Sequence, residues 1–157
     1  MFTKHVDKDV HEDALARIED YRNNGSSMSI EISELRNAGD ARGLSFSLPA
    51  AALEVLGNVA DLHLASTGPQ SVRGNHFHVS KQEIILVLPG AAWSFHWDEG
   101  EGLPVQHRNF TGETAVLMQV SPGCSHAVRN EDSTVLWLLT CSSEIYDPSK
   151  VVARKVI

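Results

Sequence analysis

From Met28 onward hydrophobic and polar positions alternate with a period of two. Met28, Ile30 and Ile32 stand against Ser29, Glu31 and Ser33, the pattern of a β-strand with one wet face. Further short strands are expected near residues 59–66, 71–79, 83–89, 91–98, 104–110, 114–121, 125–129 and 133–141. Turn-forming punctuation separates most of them, as at Thr67-Gly68-Pro69 and Asp98-Glu99-Gly100-Glu101-Gly102. Residues 7–23 carry the long helical pattern, through Val10, Ala14, Ile18 and Tyr21, and Asn23-Asn24-Gly25 stops it. A short helix is expected from a Ser47 cap, with Pro49 in its first turn, through Leu53 and Leu56 to Gly57. The pattern therefore predicts an all-β sandwich or barrel over residues 27–157 and a helical appendage over residues 1–26.

Two of these strands, Ile84 to Leu88 and Val135 to Leu139, are apolar on both faces. A barrel wall that is apolar outside as well as inside needs an outer cover. A homodimer is the expected cover; shielding within one chain, by the amino-terminal helix or by Leu53 and Leu56, is the alternative.

A chain of 157 residues is read as one domain, able to bury about two thirds of its extended surface. Thirteen Lys and Arg against twenty Asp and Glu give a net charge of −7 with no basic run, which argues against nucleic acid and anionic membrane as partners. Cys124 and Cys141 are the two cysteines, too few for a disulfide framework and without a Cys-x-x-Cys knuckle. The amino terminus is too charged for a signal peptide and no apolar run reaches bilayer length, so a cytoplasmic protein acting on a small molecule is expected.

The chemistry concentrates between Arg73 and Gly90, RGNHFHVSKQEIILVLPG. His76 and His78, two apart on a strand, project from one face with about 6 to 7 Å between them along the backbone. Glu83 follows after a turn as the first inward residue of the next strand, and PGCSHAVRN supplies His126. Three histidines and a glutamate from three strands make a plausible ligand set for one divalent ion; zinc, nickel, iron and manganese are all compatible with it. The alternative, hydrogen-bonded barrel histidines with no ion, leaves a carboxylate at the start of an apolar strand, which costs several kcal/mol without compensation. His63 has open readings, functional or core. Trp93, Phe95 and Trp97 are expected to pack in the core or an interface rather than to stack on a ligand. Cys124 is read as a small buried thiol and Asn130 as a turn hydrogen bonder. Arg73 and Asn75 share the strand of the two histidines, and an arginine at a pocket mouth grips a phosphate bidentately.

His-x-His, four residues, Glu, six residues, Gly resembles the first cupin motif, and Pro122-Gly123-x-x-His126-x-x-x-Asn130 resembles a contracted second one. The resemblance implies a single jelly-roll barrel. Asp40-Ala41-Arg42-Gly43, Arg73-Gly74-x-His76-x-His78 and Ser142 to Asp147 are further similar to the sugar-nucleotide 3,4-ketoisomerases and 3,5-epimerases, over about residues 40–150. Arg73-Gly74-Asn75-His76-x-His78 is similar to the metal-carrying cupin domain of capsular-sugar reductase and epimerase enzymes. The resemblance implies an enediol or enolate intermediate, His76 as base, His63 or Tyr146 as partner in proton transfer, and Arg73, Arg42 and Asn75 on the substrate. Glu83 departs from the metal-free ketoisomerases, which carry Gln there; with an ion bound, His76 and His78 become ligands rather than bases. Two other classes share the ligand set: a metal-dependent cupin dioxygenase or decarboxylase on a small organic acid, and a non-catalytic binding cupin.

Overall fold

Alternation along the chain becomes two five-stranded antiparallel sheets that face each other. The computed structural model describes residues 28–157 together with Glu12, Ala16, Ile18, Glu19, Asp20, Asn23 and Gly25. One sheet runs in the order β1 (Ile30–Glu34), β7 (Val116–Val120), β4 (Glu83–Val87), β9 (Leu136–Ser142), β2 (Asp61–Thr67). The other runs β10 (Val151–Ala153), β3 (Val72–His78), β8 (Ser125–Asn130), β5 (Trp93–Asp98), β6 (Gln106–Phe110). This is the all-β jelly-roll barrel of a cupin. The expected strands are all present, with ends that agree or shift by up to three residues. Among the described residues of the expected amino-terminal helix, Glu12, Ala16, Ile18 to Asp20 and Asn23 are helical; the remainder, including Val10, Ala14 and Tyr21, lies outside the described residues.

One local expectation is corrected, and two short elements were not foreseen. Helix α1 spans Ala50–Leu56 with Pro49 at its cap position and no side-chain cap, because Ser47 stands too early to reach the first free N–H groups. The carboxyl-terminal 3-10 turn Pro148–Lys150 and strand β10 were not expected: three residues are too few to show a period.

Inward residues divide the barrel into a filled half and a hollow half. Trp93, Phe95, Phe110, Met118 and Leu136 are buried together, with Trp93 stacked on Phe110 at 4.1 Å between ring centroids. That places Trp93, Phe95 and Trp97 in the core, as the packing reading expected. On the outside, α1 lays Ala52 and Leu56 over Ile84, Leu117 and Cys141, so the outer face of β4 is covered within the chain. Ile18 packs with Phe77, Val79 and Val152 outside the other sheet. Leu62, Leu64 and Trp137, on β2 and β9, stay exposed. Among the described residues, no helix is long and apolar enough to cross a membrane.

Candidate metal centre and cavity

The hollow half is a cavity of about 580 Å³ bounded by β2, β3, β4, β8 and β9. His76 and His126 are directly opposed across β3 and β8. Together with His78 they bring one ring nitrogen each to within 4.8 Å of one another. Glu83, the first residue of β4, enters from the facing sheet: its Oε2 lies 3.1 Å from His78 Nε2 and 3.5 Å from His126 Nε2. The three histidines therefore gather at one point, and Glu83 adjoins it through His78 and His126.

A bulge produces this alignment. Strict alternation would put Arg73 and His76, three apart, on opposite faces of β3. Between Gly74 and His76 the register slips, so that Arg73 opposes Val128 while His76 opposes His126. Both then face the cavity. Gly74 has φ +101°, and a Cβ there would collide with the His126 carbonyl oxygen, so neither the conformation nor the space admits a larger residue. Asn75 takes φ 58° as the extra residue.

The electrostatics suit a cation. Burial, followed by His126 and His78, pushes His76 down to about 3, so its ring is neutral at physiological pH. Burial likewise lowers His126. Its Nδ1 lies 3.2 Å from the Cys124 carbonyl, which can only accept; Nδ1 therefore carries the hydrogen and Nε2 keeps its lone pair for a ligand. Burial by itself would raise Glu83, but the close approach of His78 Nε2 and the ammonium of Lys81 outweigh it and hold the carboxyl below the usual carboxylate range. Glu83 Oε2 is buried with no partner in hydrogen-bond geometry. The neutral rings of His76 and His126 beside an ionised, buried carboxylate oxygen fit a divalent metal ion, which binds neutral imidazole and carboxylate.

The family model for the polysaccharide biosynthesis C-terminal domain matches residues 40–152. The chain belongs to that family. No curated protein matches the sequence. Among solved structures it is similar to NovW, a 4-keto-6-deoxy sugar epimerase from Streptomyces spheroides, at TM-score 0.66 and 19% identity over 79% of this chain and 68% of that one. It is also similar to QdtA, a sugar 3,4-ketoisomerase from Thermoanaerobacterium thermosaccharolyticum in complex with TDP, at TM-score 0.59 and 15% identity over 80% of this chain and 88% of that one. The capsular polysaccharide assembling protein CapF from Staphylococcus aureus gives TM-score 0.57 and 19% identity over 78% of this chain and 34% of that one. At these identities the likeness establishes the fold.

In this polysaccharide biosynthesis domain the other expected residues divide between the cavity and elsewhere. Arg73, His63 and Tyr146 line the cavity. Arg73 donates from Nε to the Ser66 carbonyl at 2.6 Å, which sets its direction and leaves the terminal N–H groups open to a ligand. Arg42 is not brought there: a bidentate pair with Asp40 two residues away holds it in an exposed turn. Asn75 is not brought there either. Its Oδ1 accepts from the N–H groups of Val156 and Ile157 and pins the carboxyl-terminal segment, because the bulge turns its side chain off the cavity face. Asn130 is structural: its Nδ2 faces the carbonyls of Thr67, Gly68 and Thr134, and its Oδ1 accepts from Asp132 N–H. Lys81 was missed. It is buried, lines the cavity and places Nζ 3.0 Å from Glu83 Oε1. The available signal was a lysine two residues before a buried glutamate, in a turn whose ends both enter the barrel.

Proposed function

We propose that this chain is a metal-binding isomerase or epimerase of keto-sugar nucleotides, working as a homodimer through an enediolate. The observation that carries the reading is the orphaned, ionised Glu83 oxygen facing two histidine nitrogens at a cavity whose lining also includes the arginine Arg73. Structures of like fold support the substrate class: QdtA is described with TDP-4-keto-6-deoxyglucose, and the Legionella pneumophila RmlC epimerase with dTDP-4-keto-L-rhamnose.

His76, His78, Glu83 and His126 would hold the ion. An ion held there would supply Lewis-acid polarisation of a carbonyl and so acidify the neighbouring C–H. The chain's own groups do the rest. Arg73 presents a fork of N–H groups to a diphosphate, which a chain of net charge −7 needs at that place. Ile85, Val128 and Leu138 give the cavity an apolar wall that limits water around the reacting carbon. His63 and Tyr146 each bring a titratable N–H or O–H to the cavity and are the candidates to remove and return the proton.

The test is proton exchange. Metal-loaded protein incubated in D2O with TDP-4-keto-6-deoxyglucose is expected to incorporate deuterium at a carbon next to the carbonyl, read by proton NMR, and chelated protein is not. Arg73→Ala should raise the nucleotide-sugar dissociation constant by about tenfold to a hundredfold, the usual size for a charged hydrogen bond, with partial rescue by Lys. Absence of exchange, with nucleotide-sugar affinity indifferent to Arg73→Ala, would contradict the assignment; oxygen uptake in its place would favour the oxygenase class.

A further inference from the structure

Lys81 is a buried cation beside a site that is expected to bind a cation. Its side chain is 8% exposed, and the turn that carries it is fixed from both directions by Ser143: Gln82 N–H donates to Ser143 Oγ at 3.0 Å, and Ser143 N–H donates to the Gln82 carbonyl at 3.1 Å. The ammonium lies 5.8 Å from the centroid of the Tyr146 ring, so its surroundings reach the cavity.

The two oxygens of Glu83 have been divided. Oε1 faces Lys81 Nζ at 3.0 Å, while Oε2 faces His78 Nε2 at 3.1 Å and His126 Nε2 at 3.5 Å. A carboxylate left to itself can give both oxygens to one ion. With Oε1 engaged by an ammonium, one oxygen remains to give.

Charge acts in the same direction: an ammonium 3.0 Å from Glu83 Oε1 offsets the pull of the carboxylate on an ion beside Oε2, leaving more of that ion's charge for a substrate oxygen.

We propose that Lys81 is a positioning residue for the metal centre: it restricts Glu83 to a single donor oxygen and preserves positive charge for the substrate, at the expense of metal affinity. This rests on the metal-binding reading given above. It inverts the usual consequence of removing a group that supports a metal ligand, which weakens binding by about tenfold to a hundredfold. Here removal is expected to tighten it.

The test is a metal titration of wild type, Lys81→Met and Lys81→Arg, using Zn²⁺ against a chromophoric chelator and Co²⁺ followed by its visible bands. Lys81→Met should bind Zn²⁺ at least about tenfold more tightly, since an adjacent like charge is gone and Glu83 is released. Its Co²⁺ bands should shift as the ligand set gains an oxygen. Lys81→Arg should restore wild-type affinity and bands. Should Lys81→Met not fold without metal, Lys81→Gln, which keeps a donor for Oε1 but no charge, takes its place and is expected to bind more tightly than wild type too. Equal or weaker Zn²⁺ binding with unchanged Co²⁺ bands in the neutral variants would overturn the role of Lys81 and leave the metal centre standing. A wild-type protein that binds neither ion would overturn both.

Discussion

His76 and His126 are held neutral by burial, and this fixes how the metal-free protein responds to acid. Their folded values lie below the unfolded value of about 6.5, so below that pH the unfolded chain binds more protons and stability falls. The fall continues toward about 3 for His76. Glu83 acts in the same direction lower down: a carboxylate depressed in the fold contributes stability above its unfolded value of about 4.3, and this is lost as pH drops further. Chelated protein is therefore expected to be destabilised progressively below about pH 6.5, and His76→Gln should flatten that dependence by up to about 1.4 kcal/mol per pH unit, measured by urea unfolding at several pH values. A slope that His76→Gln leaves unchanged would contradict a buried neutral ring. His76, His78, Glu83 and His126 were legible in the sequence as a set because their spacing is independent of packing detail. Lys81 was not, since a lysine in a polar turn between strands is ordinarily solvated, and only the geometry shows that its stem folds inward onto Glu83.

At the scale of the element, β3 carries more of the function than its seven residues suggest. Its bulge brings Arg73 onto the face of His76 and His78 while turning Asn75 to the carboxyl terminus. Alternation reads the two histidines correctly, because both lie after the bulge, but it puts Arg73 on the opposite face, because a bulge inserts one residue that periodicity does not register; Asn75 is placed on the substrate by its motif, not by alternation. Arg42 fails for another reason: its motif placed it near the substrate, whereas a local pair with Asp40 satisfies it in an exposed turn. Gly74→Ala should test the bulge. A positive-φ alanine costs about 1 to 2 kcal/mol, and the collision with the His126 carbonyl forces β3 and β8 apart, so a lower melting temperature and weaker metal binding are expected together. Gly74→Ala with wild-type metal affinity would show that the bulge does not set the ligand geometry.

For the whole molecule, the outer surface separates the two expected covers. The face of β4 is closed by α1 within the chain, yet Leu62 and Leu64 remain 64% and 59% exposed on β2, an edge strand, beside Trp137 at 47% on β9. Covering that stripe by a second copy is the expected arrangement, since an apolar edge strand otherwise invites uncontrolled pairing. Sedimentation of wild type should give a dimer, and Leu64→Lys should weaken it by at least about tenfold; a monomeric wild type at tens of micromolar would contradict this. The barrel architecture was legible from strand count and punctuation, whereas its division into a packed half and a hollow half was not, because inward residues look alike in sequence whether they meet each other or surround a cavity. That hollow half carries the central claim: three histidines and one glutamate hold one divalent ion. The most direct measurement is the metal content of protein purified without added metal and then re-equilibrated with Zn²⁺, for wild type and His78→Ala side by side. One tightly bound ion per chain in the wild type, and none in a His78→Ala protein that keeps its circular dichroism, is the predicted result. Equal metal content in the two proteins, or none in the wild type after re-equilibration, would contradict it.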